Sequence, residues 1–391
     1  MSLLSEAPVQ PAWGAVLSMS LGVFGIVGAE FLPASLLTAM ATDLGVSEGQ
    51  AGQAVTVTAG VGLISSLLVT AVSGRADRRT VLLLLTLLLV LSNILVAIAP
   101  SLGAVLVARV LLGVSLGGFW ALSAATMMRL VPVALLPRAL AIHFGGVTAA
   151  TVFAAPLGSF LGEVYGWRTA FAGAAGLGVL AFLVQLLCLP SMRADRAARL
   201  STIFAVLLRP RMALGMATFL TVFAGHFGFF TYLRPFLETV TRADAQIVTA
   251  VLLIFGFGTF LGNSISSFLI SRSLAAVLAL LPLMLAVVAL LLVKLGGTLV
   301  LDATLTGLWG VAFGIIPVSW STWVTGTVPD EAETGGGVFV ATANLAIAIG
   351  AGLGGVVVDR FGIEVQYLVC AVLLLIGSFG ALQLGRKTRS E

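Results

Sequence analysis

An all-α membrane protein of about twelve spanning helices is the fold class this chain predicts, and three observations carry it. Of its 391 residues, 59% are apolar and only 9% are charged, whereas a soluble domain carries roughly 25% charged residues. Apolar stretches follow one another almost without pause, each long enough for the roughly 20 residues that a bilayer-spanning helix needs. Basic residues gather in alternate connections between those stretches.

The stretches fall at 13–40, 50–73, 80–99, 102–128, 138–163, 168–190, 211–237, 246–270, 273–294, 299–326, 334–358 and 363–385, which leaves no room for a soluble domain. The first runs from Trp13 to Met40, interrupted by Glu30 and Pro33. Ala39-Met40-Ala41 has the small-x-small form of a leader cleavage site, but residues 1–12 hold no Lys or Arg, so the stretch reads as a retained helix. Spans two and three are separated by Arg75, Arg78 and Arg79, and spans four and five by Arg129 and Arg138. Five arginines between Arg193 and Arg211 separate spans six and seven, Arg272 follows span eight, and Arg386, Lys387 and Arg389 follow span twelve. Those connections hold fourteen basic residues; the opposite set holds five, Arg168, Arg234, Arg242, Lys294 and Arg360. The asymmetry puts both termini in the cytoplasm and explains the basic pI without nucleic acid. Cys188 and Cys370 fall inside spans without metal-ligand spacing and read as packing residues. The chain offers no metal cluster, phosphate-cradling loop or nucleophile–base set, so an enzyme is not expected, and no cofactor is needed.

The segment from Pro190 to Arg211 is the one long polar interruption, and it divides the chain into residues 1–190, a cytoplasmic basic linker 191–210, and residues 211–391. A shift of 197 places Gly113 on Gly310, Gly117 on Gly314, Pro132 on Pro329 and Gly28 on Gly225. A shift of 196 places Ala155-x-Leu157-Gly158 on Ala351-x-Leu353-Gly354, and Gly166 on Gly362. These matches predict two pseudo-symmetric six-helix bundles, an arrangement suited to rocking about a site at the membrane midplane. Glycines at small-x-x-x-small spacing, such as Gly158 and Gly162, allow close backbone approach, whether for motion or for static packing.

A carboxylate inside a spanning helix costs roughly 2.5–3.5 kcal/mol on insertion scales, which makes Glu30 a functional candidate. Glu30 lies ~6 Å outside the midpoint of span one, and Arg109 lies ~9 Å outside the midpoint of span four. Their similar depth predicts that they pair or exchange partners. A permanent ion pair is one reading; a proton-loading carboxyl tuned by the guanidinium is the other. His226, near the middle of span seven, is a third proton-coupling candidate or else a packing histidine. Trp120, Ser123, Phe227, Phe230, Asn263, Trp320 and Asn344 supply flat rings and hydrogen-bonding groups for a planar polar cargo. Trp320 and Trp323 alternatively fit an interfacial aromatic belt. His143 is given no role.

Arg109-x-x-x-Gly113 and Ala76-Asp77-Arg78-Arg79 resemble motifs of the major facilitator superfamily in its twelve-span drug/proton antiporter branch. Ala155-Pro156-Leu157-Gly158-Ser159 resembles the antiporter motif of that branch, with Ala155 and Ser159 in place of glycines. Glu30-Phe31-Leu32-Pro33, Ser47-Glu48-Gly49, Leu116-Gly117-Gly118-Phe119-Trp120-Ala121, Phe229-Phe230-Thr231-Tyr232 and Trp320-Ser321-Thr322-Trp323 resemble the bacterial purine-ribonucleoside efflux group within it. The resemblance implies a monomeric transporter of the bacterial inner membrane that exports purine nucleosides in exchange for protons. It also implies a gating loop at Asp77, Arg78 and Arg79. Sugar or drug export is the alternative cargo, and a non-transporting receptor the remote one.

Overall fold

The computed structural model describes residues 11–73, 76–132, 135–192 and 205–387. Most of the expected linker, with Arg193, Arg196 and Arg199, lies outside the described residues, as do Arg75 and Arg389. In the first half the helices are α1 (Trp13–Ser35), α2 (Leu37–Leu44), α3 (Glu48–Val72), α4 (Arg78–Ala97), α5 (Leu102–Leu130), α6 (Leu136–Tyr165) and α7 (Trp167–Cys188). In the second they are α8 (Pro210–Thr231), α9 (Leu233–Thr239), α10 (Ala245–Leu295), α11 (Leu299–Thr327), α12 (Ala332–Phe361) and α13 (Ile363–Lys387). Among the described residues there is no strand.

Eleven of these helices are long and apolar enough to cross a membrane. The 51-residue α10 leaves helical geometry at Ser273, with φ −166° and ψ 98°. Its arms, 245–272 and 274–295, are therefore two spans, and the total is the twelve expected. Large apolar side chains such as Leu84, Leu91, Val107, Leu187, Phe257, Leu353 and Ile376 are exposed, as on a lipid-facing perimeter.

Spans one and seven end earlier than their apolar stretches. α1 stops at Ser35 and the chain turns at Leu36, with φ −113° and ψ 9°. α8 stops at Thr231 and turns at Tyr232, with φ −108° and ψ 17°. The two breaks have nearly the same backbone geometry at matching places in the halves. Pro33 loosens the end of α1 because it lacks an amide hydrogen and crowds the preceding turn, while Pro235 sits in the first turn of α9, where proline is tolerated.

The repeat in the sequence reappears as matched packing. Gly113 and Gly117 of α5 lie against the carbonyls of Thr58 and Gly62 on α3. Gly310 and Gly314 of α11 lie against the carbonyls of Phe255 and Thr259 on α10. A shift of 197 converts each contact of the first pair into one of the second. A Cβ on any of the four glycines would strike backbone, so the residue type follows from the approach of the helices. The turns after α6 and α12 are matched as well, by Gly166 at φ 85° and Gly362 at φ 87°, a region that disfavours side chains.

The halves meet along two seams, α3 on α12 and α6 on the first arm of α10. At the face opposite the start of α1 and the end of α13, the far face, Ser47 Oγ donates to Asp359 Oδ2 at 2.6 Å and the Gly49 amide donates to Asp359 Oδ1 at 3.0 Å. Arg234 Nη1 donates to the Ser35 carbonyl at 2.6 Å, and the Thr249 and Ser159 hydroxyls are 2.9 Å apart. The α3–α12 seam continues inward past Thr56 and Gly352 to Gly62, which lies against Asn344 Oδ1. Among the described residues, every hydrogen bond between the halves belongs to the far side of the bundle. The halves are clamped at one end.

Candidate functional site

Arg109 is fully buried on α5, one helical turn before Gly113. Residues four apart share a helix face. The same close approach that requires glycine at 113 therefore brings Arg109 against α3, where its Nε donates to Thr58 Oγ1 at 3.0 Å. Thr58 in turn donates to the Ala54 carbonyl at 2.9 Å. Arg109 Nη2 donates to the Ala29 carbonyl at 3.0 Å. That carbonyl is available for a definite reason: in an α-helix it would accept from residue 33, and Pro33 has no amide hydrogen. Nη1 has no partner.

Glu30 sits beside this arrangement and keeps 8% exposure, whereas Arg109 has none. Glu30 directly follows Ala29, whose carbonyl Arg109 bonds. The permanent ion pair expected as one reading is absent: among the described residues no salt bridge joins Glu30 to Arg109. The Ala29 carbonyl and the Thr58 hydroxyl hold the guanidinium instead.

His226 lies in the second half, enclosed by aromatic rings. It stacks on Phe313 with ring centres 3.5 Å apart, and Phe227, Phe230 and Phe255 surround it. Trp309 Nε1 donates to His226 Nδ1 at 3.0 Å. Nδ1 is thus an acceptor, and the neutral ring carries its hydrogen on Nε2. Phe230 also meets Phe31 edge-on at 5.4 Å, the aromatic contact that crosses between the halves among the described residues. Phe31 adjoins Glu30 in sequence, so the aromatic group of the second half reaches the charged group of the first.

The other expected cargo residues are dispersed. Trp120 packs against His143 and Phe144, and Ser123 donates to the Phe119 carbonyl, both inside the first half. Asn263 is exposed on α10, apart from the His226 cluster. Trp320, 1% exposed, packs against Phe219 and Trp323 in the core of the second half, so neither tryptophan belongs to an interfacial belt. Asn344 lies in the α3–α12 seam, with Nδ2 on the Val340 carbonyl at 3.0 Å and Oδ1 unpartnered. Thr58, Phe255 and Phe313 belong to the grouping but were not among the expected residues. Thr58 and Phe255 are repeat counterparts, but neither stands out by type or position, so the repeat carries no signal for either.

The expected gating loop engages its own half. Asp77 caps α4 by accepting from the Arg79 amide at 3.0 Å and also accepts from the Met192 amide at 2.8 Å. The Ser191 hydroxyl, and then those amides, hold its carboxyl below the ordinary aspartate range. Arg78 donates to Ser73 Oγ, and Arg79 to the Leu186 carbonyl. In this conformation the described contacts of the loop brace α3, α4 and the end of α7.

A buried arginine bonded to a proline-freed carbonyl, an adjacent carboxyl and an aromatic contact across the seam lie together where the two halves meet. A group of three or more His, Cys, Asp or Glu residues able to hold a metal is absent among the described residues. The chain is 44% identical over 372 residues to the purine ribonucleoside efflux pump NepI of Escherichia coli strain K12 and to that of Shigella flexneri. Each of these alignments covers 95% of this chain and 94% of the relative. The NepI of Salmonella enteritidis is 43% identical with the same coverage. Among solved structures, the bacterial homologue of the human lysosomal transporter Spinster, inward-facing and unoccupied, superimposes with a TM-score of 0.79 at 17% identity, covering 97% of this chain and 98% of that one. The D-xylose–proton symporter gives 0.73 at 16% identity, covering 95% and 97%. These distant structures share the fold. The family model of the Major Facilitator Superfamily matches residues 19–351, and the chain belongs to that superfamily.

Proposed function

We propose that this protein exports purine ribonucleosides of the inosine, adenosine and guanosine class across a bacterial inner membrane, in exchange for protons. The observation that carries the cargo is the 44% identity, over 95% of the chain, to proteins named purine ribonucleoside efflux pumps. The coupling to protons rests on the geometry of the first half. Among the described residues Glu30 has no ion-pair partner, while Arg109 Nη1 is uncommitted. A proton leaving Glu30 creates a carboxylate that competes with the Ala29 carbonyl for Arg109; a proton arriving returns Arg109 to the carbonyl. Phe31, Phe227 and Phe230 offer ring faces to a purine between the halves. With both termini in the cytoplasm, the clamped far face is periplasmic and the conformation is the inward-facing one. Monomeric protein and the proton gradient suffice; no cofactor takes part.

The test is transport of radiolabelled inosine, with arabinose alongside, in proteoliposomes under an imposed pH gradient. Inosine moving against the proton flux, with Glu30→Gln losing gradient-driven accumulation, is the expected result. Full proton-coupled transport by Glu30→Gln refutes the coupling role, and transport of arabinose alone refutes the cargo.

A further inference from the structure

The second half contains a buried carboxyl that the site above does not use. Asp302 lies in the first turn of α11 and is fully buried. Its Oδ2 accepts from the Thr241 hydroxyl at 2.7 Å and from the Gly297 amide at 3.0 Å. Its Oδ1 has no partner. Among the described residues no arginine, lysine or histidine forms an ion pair with it. A carboxylate enclosed without a compensating cation is unfavourable unless it takes a proton or binds a cation.

Two further hydroxyls await a partner nearby. Thr306 follows Asp302 by one turn on the same helix face, is fully buried, and its Oγ1 is unpartnered. The hydroxyls of Thr304, Thr322, Thr325 and Thr327 on the same helix all bond the carbonyl four residues back. That of Thr306 does not. Tyr367 on α13 is fully buried with its hydroxyl unpartnered, and its ring packs against Phe229, which stacks on Trp309, three residues beyond Thr306 on α11. The chain before α10 presents the uncharged Thr241 to Asp302. Thr306 is also the repeat counterpart of Arg109, so the halves place different chemistry at one equivalent position.

We propose that Asp302, Thr306 and Tyr367 form a buried site for a small hard cation, a proton carried with water or a sodium ion, at the far end of the second half. Asp302 Oδ1 is the atom that takes the cation, and the two hydroxyl oxygens are acceptors or ligands beside it. Oδ2 stays committed to Thr241 and Gly297, which fix the carboxyl. The site adds a second ion-binding position to the transport reading above but does not depend on which cargo is carried.

The experiment reads occupancy rather than transport. Infrared spectra of the purified protein at neutral pH are recorded for the parent and for Asp302→Asn, Thr306→Val and Tyr367→Phe, and thermal unfolding is followed in sodium chloride against choline chloride. Asparagine keeps an oxygen for Thr241 and Gly297, and the other two variants leave both tethers intact. If a proton occupies the site, a protonated-carboxyl band present in the parent is lost in Asp302→Asn and shifted in the other two variants. If sodium occupies it, sodium raises the unfolding temperature of the parent and this rise is lost in all three. Spectra free of an Asp302 band together with no sodium effect overturn the proposal. So do a band and sodium response unchanged in Thr306→Val and Tyr367→Phe. Because neither readout involves nucleoside, failure here is separable from failure of the transport assay.

Discussion

Replacing Asp359 with alanine tests whether the far-face clamp sets the balance between conformations. Asp359 ends α12 in the second half, yet its carboxylate serves α3 of the first half. It accepts from the Ser47 hydroxyl and from the Gly49 amide, one of the first-turn amides that α3 cannot satisfy internally. Ser47 already caps its own helix through the reciprocal pair with Gln50, so α3 remains capped after the substitution and the loss falls on the contact between the halves. Each hydrogen bond contributes roughly 0.5–1.5 kcal/mol net, and a negative charge at a helix N-terminus about 0.3–1 kcal/mol. Asp359 is exposed, and screening reduces the total to about 1–2 kcal/mol. The ratio of far-face-closed to far-face-open protein then falls about 5- to 30-fold. Spin labels at the exposed positions Thr42 and Glu364, with Cys188 and Cys370 replaced, report the distance across the far face in reconstituted protein. Asp359→Ala broadens the distribution toward longer distances, and Asp359→Asn, which keeps one acceptor, falls between it and the parent. An unchanged distribution in Asp359→Ala refutes the reasoning.

Three other perturbations follow from single contacts. Gly117→Val drives a side chain into the Gly62 carbonyl and the Ser66 amide, and overpacking of this kind costs about 1–3 kcal/mol or more; folded yield and unfolding temperature in detergent both drop. Trp309→Phe removes the donor to His226 Nδ1 and leaves a buried acceptor unpaired, a loss of about 1–3 kcal/mol, checked by the same unfolding measurement. Asp77 is held below its ordinary value of 3.8, so its contacts contribute fully above that value and are lost as pH falls through the lower folded-state value. Hydrogen exchange at the Met192 amide is therefore as protected at pH 5 as at pH 8 once corrected for intrinsic rate, and protection lost by pH 5 contradicts this.

How far the chain could be read depended on whether the signal was carried along one helix or between two. The twelve spans follow from length and polarity, and the break in α1 from Pro33, because these are properties of one segment. The repeat was legible for the same reason: Gly113 and Gly310 are spaced along the chain as they are in space. Partner choice was not. Depth placed Glu30 near Arg109, but depth leaves rotation about the helix axis undetermined, and Thr58 reaches the guanidinium through the α3–α5 approach. The carbonyl of Ala29 was readable in principle, since Pro33 frees the group four residues back. The core position of Trp320 was not legible because α11 is apolar on nearly every face, and nothing in such a helix separates a core position from a cargo-facing or interfacial one.

The break in α1 links the two ends of the site. Arg109 bonds the Ala29 carbonyl that Pro33 leaves open, and Arg234 bonds the carbonyl of Ser35, where the helix stops. Both are backbone acceptors that α1 leaves open, six residues apart: one because Pro33 has no amide hydrogen, the other because the helix stops at Ser35. One arginine belongs to the first half and is wholly buried; the other belongs to the second half, where it also pairs with Glu238 at 2.7 Å. An α1 without Pro33 and without the turn at Leu36 would satisfy both carbonyls internally and take one acceptor from each guanidinium, leaving Arg109 with Thr58 and Arg234 with Glu238 and Ser159. The interruption is therefore not a tolerated defect in a spanning helix. It supplies the acceptors by which one half positions its buried charge and the other half holds the far face closed.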